Sequence, residues 1–211
     1  MRILALFAFC VTFLFADLID VYRTQGIDAV KEKLEKQLQE KSYWNNFLEK
    51  KDVTYGYYES TKFLILVEKG TKELKVLKNI NNLFSQVVQD DVIVGEKSGD
   101  KQVEGDLKTP EGVYELTSKL TKLDSFYGPL ALVTSYPNTF DKAMNKKGHG
   151  IWIHGMPLDE KREEFTQGCI ALDNPNLMNL DKNISLNDAL VLISEAKIEK
   201  VKKNDISSLL S

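Results

Sequence analysis

Residues 149–172 read HGIWIHGMPLDEKREEFTQGCIAL, and they contain both histidines of the protein and one of its two cysteines. A thiol becomes a good nucleophile when a neighbouring base takes its proton, and imidazole is the side chain best suited to do so near neutral pH. The stretch therefore predicts a nucleophile, Cys169, and a base, His154. The alternative is that Cys169 is a small buried residue without chemistry.

The run Gly150–His154 is short, apolar and rich in residues that favour strands. Side chains alternate along a strand, so Trp152 and His154 share one face while the two intervening isoleucines point to the core. Gly155 follows directly. Its carbonyl is predicted to accept the second imidazole N–H and fix the tautomer, the role that a carboxylate has in other triads.

Gly168 directly precedes Cys169 and leaves room for a substrate over the sulfur. The backbone N–H groups of Gly168 and Cys169 are predicted to form an oxyanion hole for a tetrahedral intermediate. His149 lies five residues before His154, which puts the two rings on opposite faces of a strand. They are therefore not expected to bind a metal together.

Four motifs resemble one known family, the YkuD-type L,D-transpeptidase catalytic domains. They are GDLKTPEGVY at 105–114, SYPNTFDKA at 135–143, GHGIWIHGMP at 148–157 and TQGCIALDN at 166–174. The last three together are most similar to the branch of helical-cell-shape L,D-carboxypeptidases. The resemblance covers roughly residues 55–195 and is specific because the motifs occur in combination.

The resemblance implies a mainly β domain, an antiparallel β-sandwich or barrel-like L,D-transpeptidase fold. It also implies a peptidoglycan stem tetrapeptide as substrate, which Cys169 attacks between meso-diaminopimelate and the terminal D-alanine. Hydrolysis of the thioester would give a tripeptide, the L,D-carboxypeptidase reaction, which is favoured narrowly. Attack by an amine would instead give a 3-3 crosslink, or attachment or release of a lipoprotein. A non-catalytic wall-binding module and a thiol protease are further alternatives.

The family often carries an arginine two residues after the catalytic cysteine, where this chain has Ala171. Arg162 is the sole arginine of the predicted catalytic domain, and its planar fork suits the terminal carboxylate of the substrate. Four further residues are assigned to substrate binding: Thr166, Trp152, Tyr136 and His149. A packing aromatic is the alternative for Tyr136, and a surface histidine is the alternative for His149.

Residues 1–16, MRILALFAFCVTFLFA, carry one positive charge and an apolar run typical of a signal peptide cut after Ala16. A periplasmic location follows, and membrane association is expected only if this segment stays uncleaved. Lipidation of Cys10 is not expected because the bulky Phe9 precedes it. Once the segment is removed, Cys169 is a lone thiol in an oxidising compartment, which favours a reactive role.

The spacing of hydrophobic residues divides the rest of the chain into three segments. Residues 17–52 form a small N-terminal helical segment with a break at Gly26. Residues 53–195 contain short β-rich runs, from Tyr55–Tyr58 to Ala189–Ser194, and form the catalytic domain. Residues 196–211 form a C-terminal extension with helical character.

The composition limits the function classes. The chain has 211 residues, 43% of them hydrophobic, which is enough for one core and a small appendage. Its net charge is −3, so nucleic acid is not an expected partner. Because the sequence has neither a glycine-rich phosphate loop nor a metal-ligand cluster, no metal and no cofactor are expected.

We expect Arg162→Lys to lower kcat/KM for a tetrapeptide about tenfold, because lysine cannot make the paired hydrogen bonds of a guanidinium. The assay is release of D-alanine. Lys161→Arg is the matched control, since it changes the neighbouring cation without removing a guanidinium. Unchanged turnover of the Arg162→Lys variant would exclude carboxylate binding by this residue.

Overall fold

The computed structural model describes residues 17–158 and 164–211. The chain divides into two compact units. One unit contains residues up to Gly56 together with Val201–Ser211, and the other contains Tyr57–Lys200. The predicted boundaries at 52/53 and 195/196 thus lie within five residues of the observed ones. The predicted signal peptide and Arg162 lie outside the described residues.

The described helices and strands have the following bounds. Residues 17–25 are helical, and the further helices are α1 (Ile27–Leu38), α2 (Lys41–Leu48), α3 (Thr139–Ala143), α4 (Asn174–Asn183) and α5 (Lys203–Leu210). The strands are β1 (Phe63–Glu68), β2 (Glu73–Ile80), β3 (Leu83–Asp91), β4 (Gly112–Leu120), β5 (Ala131–Thr134), β6 (Trp152–His154), β7 (Ile170–Ala171) and β8 (Ala189–Ser194). Two 3₁₀ turns cover Ser125–Tyr127 and Leu186–Asp188.

The helical unit contains segments from both ends of the described chain. Gly26, with φ of 85°, separates the helical residues 17–25 from α1. The Nζ of Lys203 donates to the carbonyl of Glu49 at 2.6 Å, and the Nζ of Lys41 donates to Ser208 Oγ at 2.6 Å, so α2 and α5 are tied together. The described residues contain no helix with the length and apolarity needed to cross a bilayer.

The spacing of the apolar residues in α1 suggests a buried face, but these side chains are not fully buried. None of the α1 side chains is fully buried, and Ile27 remains 63% exposed. Helix α2 differs because Leu48 at its end is completely buried. The unit is therefore held mainly through α2 and α5.

The second unit is built on one sheet of eight strands in the described chain, in the order β3-β2-β1-β8-β4-β5-β6-β7. The expected mainly β fold is confirmed. Five of the seven neighbouring pairs among these strands are antiparallel, whereas β1·β8 and β6·β7 are parallel. The run Tyr55–Tyr58 is not a strand, and only a bridge between Thr54 and Gly56 occurs there.

The parallel pair β1·β8 forms the centre of the sheet. Strand β1 reads FLILVE and all six residues are buried, while β8 reads ALVLIS and is nearly as buried. A strand covered on both faces needs apolar side chains at successive positions rather than alternating ones, and both runs meet this condition. The core continues to Ile153 of β6 and Ile170 of β7, which are completely buried.

A buried ion pair shapes the loop between β3 and β4. Lys101 Nζ donates to Asp106 Oδ1 at 2.7 Å, with side-chain exposures of 3% and 13%. The same carboxylate accepts three backbone N–H groups, those of Gln102, Val103 and Lys108. Burial alone would raise the pKa of Asp106, but these hydrogen bonds outweigh burial and hold the pKa well below its ordinary value of 3.8.

We expect Asp106→Asn to destabilise the protein by about 3 kcal/mol at pH 7, because the buried Lys101 loses its counter-charge. The folded-state pKa is depressed, so the stabilisation is complete above about pH 4 and is lost as the pH falls toward the folded-state pKa. Urea denaturation between pH 7 and pH 3 measures both effects. The matched control is Asp181→Asn, whose partner Lys119 is 41% exposed and whose loss should cost less than about 1 kcal/mol. Equal losses in the two variants would contradict the prediction.

Candidate active site

The parallel pair β6·β7 brings the predicted base and nucleophile together. Its register places Ile153 opposite Ile170 and His154 opposite Ala171. Because both isoleucines point into the core, the alternation of side chains puts His154 and Cys169 on the other face of the same two neighbouring strands. Strand pairing thus brings together two residues that lie fifteen positions apart in the sequence.

The imidazole of His154 is completely buried and held by a neighbouring carbonyl. Its Nδ1 lies 2.7 Å from the carbonyl oxygen of Gly155. A carbonyl oxygen can only accept, so Nδ1 carries the proton and donates it. In neutral imidazole this leaves the lone pair on Nε2, the nitrogen that can act as a base.

Tyr127, which the sequence did not single out, supports this histidine from two sides. Its ring lies edge-on to the rings of His154 and Trp152, with centroid distances of 5.1 Å in both cases. Its carbonyl accepts the N–H of Gly155 at 2.9 Å. These contacts place Trp152 and His154 on one face and hold the turn that follows β6.

The thiol of Cys169 is half-buried and not part of a disulfide. Its Sγ donates to the carbonyl oxygen of Gly150 at 3.3 Å. A hydrogen bond that the thiol donates stabilises the protonated form, so forming the thiolate requires a base to take this proton.

The segment that carries Cys169 is fixed on its other side by residues 93–96. Ile93 and Ala171 exchange both backbone hydrogen bonds, at 2.9 and 2.8 Å. The N–H of Thr166 donates to Val94, and its carbonyl accepts from Glu96. The predicted nucleophile therefore directly precedes a short strand that is paired along both edges.

The hydroxyl of Thr166 is used inside this loop. It donates to the carbonyl of Cys169 at 2.6 Å and accepts the N–H of Gly168 at 3.0 Å, and the residue is 2% exposed. The predicted substrate contact of this hydroxyl is therefore not supported. The Gly168 N–H is likewise engaged, so the predicted oxyanion hole cannot use it without breaking the loop bond.

A cavity of about 230 Å³ opens above the pair. It is lined by Leu107, Phe126, Tyr127, His154, Phe165, Thr166, Gln167 and Cys169. Phe126 and Phe165 are partly exposed at the cavity, so part of its lining is apolar. The lining contains both members of the predicted base and nucleophile pair.

The remaining predicted substrate residues lie elsewhere. Trp152 is not among the described residues that line the cavity, and it packs against Tyr127, which does line it. Tyr136 is 5% exposed, packs edge-on against Tyr114, and donates its hydroxyl to the carbonyl of Lys147. Burial first, and the nearby Asp141 carboxylate second, raise the pKa of Tyr136 to about 12. It packs in the core and does not line this cavity, and its assignment to substrate binding stays a prediction.

His149 is likewise outside the cavity. Its side chain is 77% exposed and lies 4.0 Å from the carboxylate of Glu104. It lies at the surface, and its assignment to substrate binding stays a prediction. Arg162 lies outside the described residues, and its assignment stays a prediction. Within residues 17–158 and 164–211, His, Cys, Asp and Glu side chains form no group of three suited to a metal.

The chain is similar to known proteins of one family. Residues 62–193 match the family model described as YkuD, L,D-transpeptidase catalytic domain. Over 79 residues the chain is 34% identical to the Escherichia coli (strain K12) protein described as "Putative L,D-transpeptidase YafK". The matched segment covers 37% of this chain and 29% of that protein.

Two solved structures share the fold. The helical cell shape determining protein Pgp2 from Campylobacter jejuni is 40% identical, with a TM-score of 0.75, over 81% of this chain and 60% of Pgp2. Bd1075 from Bdellovibrio bacteriovorus is 29% identical, with a TM-score of 0.59, over 76% of this chain and 57% of Bd1075. The chain thus spans less than two thirds of the length of these relatives.

We expect Thr166→Val to destabilise the protein by about 2 kcal/mol, because it leaves the buried Gly168 N–H and Cys169 carbonyl without their shared hydroxyl. Thr166→Ser keeps the hydroxyl and is the matched control, with a loss below about 1 kcal/mol. Urea denaturation measures both. Equal stability of the valine and serine variants would show that the hydroxyl does not hold the loop.

Proposed function

The chain belongs to the YkuD family of L,D-transpeptidase catalytic domains, and on that premise we propose that it is an exported peptidoglycan enzyme that works through a thioester on Cys169. One observation carries the proposal. His154 and Cys169 line the same small cavity, and the Gly155 carbonyl holds the imidazole in the tautomer that a base requires.

The reaction begins with transfer of the Cys169 proton to Nε2 of His154. The thiolate attacks the carbonyl carbon of the bond between the L-centre of meso-diaminopimelate and the terminal D-alanine. The tetrahedral oxyanion is stabilised by backbone N–H donation from Cys169. The protonated His154 then gives its proton to the departing amine of D-alanine, which leaves a thioester on sulfur.

The Gly155 carbonyl contributes in the charged stage. When His154 becomes an imidazolium, Nδ1–H is a stronger donor, and the 2.7 Å bond to this carbonyl strengthens. A neutral acceptor is suitable here, because a carboxylate beside a completely buried ring would have to be desolvated as well.

Water is the proposed acceptor of the thioester, which gives an L,D-carboxypeptidase that converts tetrapeptides to tripeptides. The likeness to Pgp2, named for helical cell shape, supports this choice together with the motifs shared with the carboxypeptidase branch. The likeness to a protein named as an L,D-transpeptidase supports the second candidate, attack by an amine that forms a 3-3 crosslink.

The periplasm is the proposed location. Peptidoglycan lies outside the cytoplasmic membrane, and residues 1–16 have the composition of an export signal. Stem peptides of peptidoglycan are accordingly the proposed partners.

We expect the protein to convert a purified disaccharide-tetrapeptide to tripeptide and free D-alanine, measured by mass spectrometry. Cys169→Ala should abolish the reaction, and His154→Ala should slow it by about 10²- to 10⁴-fold. Cys10→Ala removes the other thiol and is the matched control with full activity. A cysteine-dependent 3-3 dimer would select the transpeptidase, whereas turnover in Cys169→Ala would exclude the thioester.

A further inference from the structure

The peptide unit between Gly155 and Met156 is held from two opposite sides. Its carbonyl oxygen, that of Gly155, accepts from His154 Nδ1 at 2.7 Å. Its N–H, that of Met156, donates to Asn174 Oδ1 at 2.9 Å. The amide Nδ2 of Asn174 also donates to the carbonyl oxygen of Met156 at 3.2 Å.

The planarity of the peptide couples these two bonds. In a trans peptide the C=O and the N–H point in opposite directions within one plane. When Asn174 fixes the N–H of Met156, it therefore also fixes the direction of the Gly155 carbonyl toward the imidazole. A rotation of this peptide would break both bonds at once.

The bonds also polarise one another. An N–H that donates makes the carbonyl of the same amide a better acceptor, since hydrogen bonds in a chain reinforce one another. Asn174 thereby strengthens the acceptor that keeps the proton of His154 on Nδ1. The result is a basic lone pair on Nε2.

Two glycines make room for the Asn174 amide. A Cβ on Gly155 would lie 2.2 Å from Asn174 Oδ1, and a Cβ on Gly128 would lie 2.5 Å from the same atom. Gly128 also has φ of 73°, which side-chain-bearing residues rarely adopt. This tight enclosure leaves the amide little freedom to turn away.

The position of Asn174 in the chain connects the two halves of the site. It is the first residue of α4 and follows Cys169 by five positions, just beyond β7. Between them, the N–H of Leu172 donates to the carbonyl of His154 at 2.9 Å. The segment that carries the nucleophile therefore also carries the group that orients the base.

We propose that Asn174 is a positioning residue that acts through the Gly155–Met156 peptide to hold His154 in the tautomer protonated on Nδ1. The tautomer itself is a property of the folded protein, whereas its catalytic consequence rests on the proposed function. Asn174 does not line the cavity above the cysteine, which separates this role from substrate contact.

The test is the ¹⁵N spectrum of imidazole-labelled full-length protein at pH 8, where neutral tautomers are distinguished by their nitrogen shifts. The chain has only two histidines. The exposed His149 is an internal reference in every sample. Iodoacetamide alkylation of Cys169 at pH 7 is measured on the same proteins.

Wild-type His154 is expected to be protonated on Nδ1. Asn174→Ala should shift it toward Nε2 protonation and slow alkylation about tenfold, roughly the effect of one hydrogen bond. Asn174→Leu fills the same space without hydrogen-bonding groups and should act alike, should the alanine variant fail to fold. Asn174→Asp keeps an acceptor for the Met156 N–H and should retain the wild-type tautomer.

Asn183→Ala is the matched control, because this amide lies on the same helix and donates to the carbonyl and side chain of Asn179. Folded Asn174→Ala or Asn174→Leu protein with the wild-type tautomer would overturn the positioning role. Wild-type alkylation that is unaffected by His154→Ala would instead overturn the proposed function, and the tautomer comparison would still decide the role of Asn174.

Discussion

The hydrogen bond from His154 Nδ1 to the Gly155 carbonyl is the constraint on which the site depends. The ring is completely buried, so it cannot exchange this partner for water. An imidazole without a fixed acceptor would populate both tautomers, and only one of them has its lone pair on Nε2. The Gly155 carbonyl in the turn after β6 therefore determines which imidazole nitrogen has the free lone pair. Tyr127 holds the N–H of Gly155 and contacts the ring, so one short 3₁₀ turn supports both.

The sheet supplies the second condition, which is that the proposed base and nucleophile lie close together. Strands β6 and β7 are short, and such a pair would be weak alone. Their stability comes from Ile153 and Ile170, which are buried in the shared core, and from residues 93–96, which pair with the far edge of the cysteine segment. Packing on one face of the sheet thus fixes the chemistry on the other face.

Much of this arrangement could be predicted from local patterns, and the rest depends on contacts between distant residues. The alternation in Gly150–His154 predicts a strand with Trp152 and His154 on one face, because a strand has a period of two. Strand β8 can likewise be predicted, because it is an apolar run. Its parallel pairing with β1 cannot be predicted from local patterns, since the partners lie more than a hundred positions apart. Likewise, nothing within the TQGC motif reveals that the Thr166 hydroxyl binds the N–H of Gly168, because that bond depends on the loop conformation.

The state of the two reacting groups follows from their acceptors. Cys169 donates to the Gly150 carbonyl, which favours the protonated thiol, whereas the bond from His154 to the Gly155 carbonyl strengthens when the ring becomes an imidazolium. A thiolate and imidazolium would both need stabilisation in a half-buried cavity, where separated charges are costly. The hydrogen bond to Gly155 offsets part of this cost on the imidazolium, and in the proposed mechanism attack on the substrate carbonyl moves the negative charge from sulfur to the oxyanion.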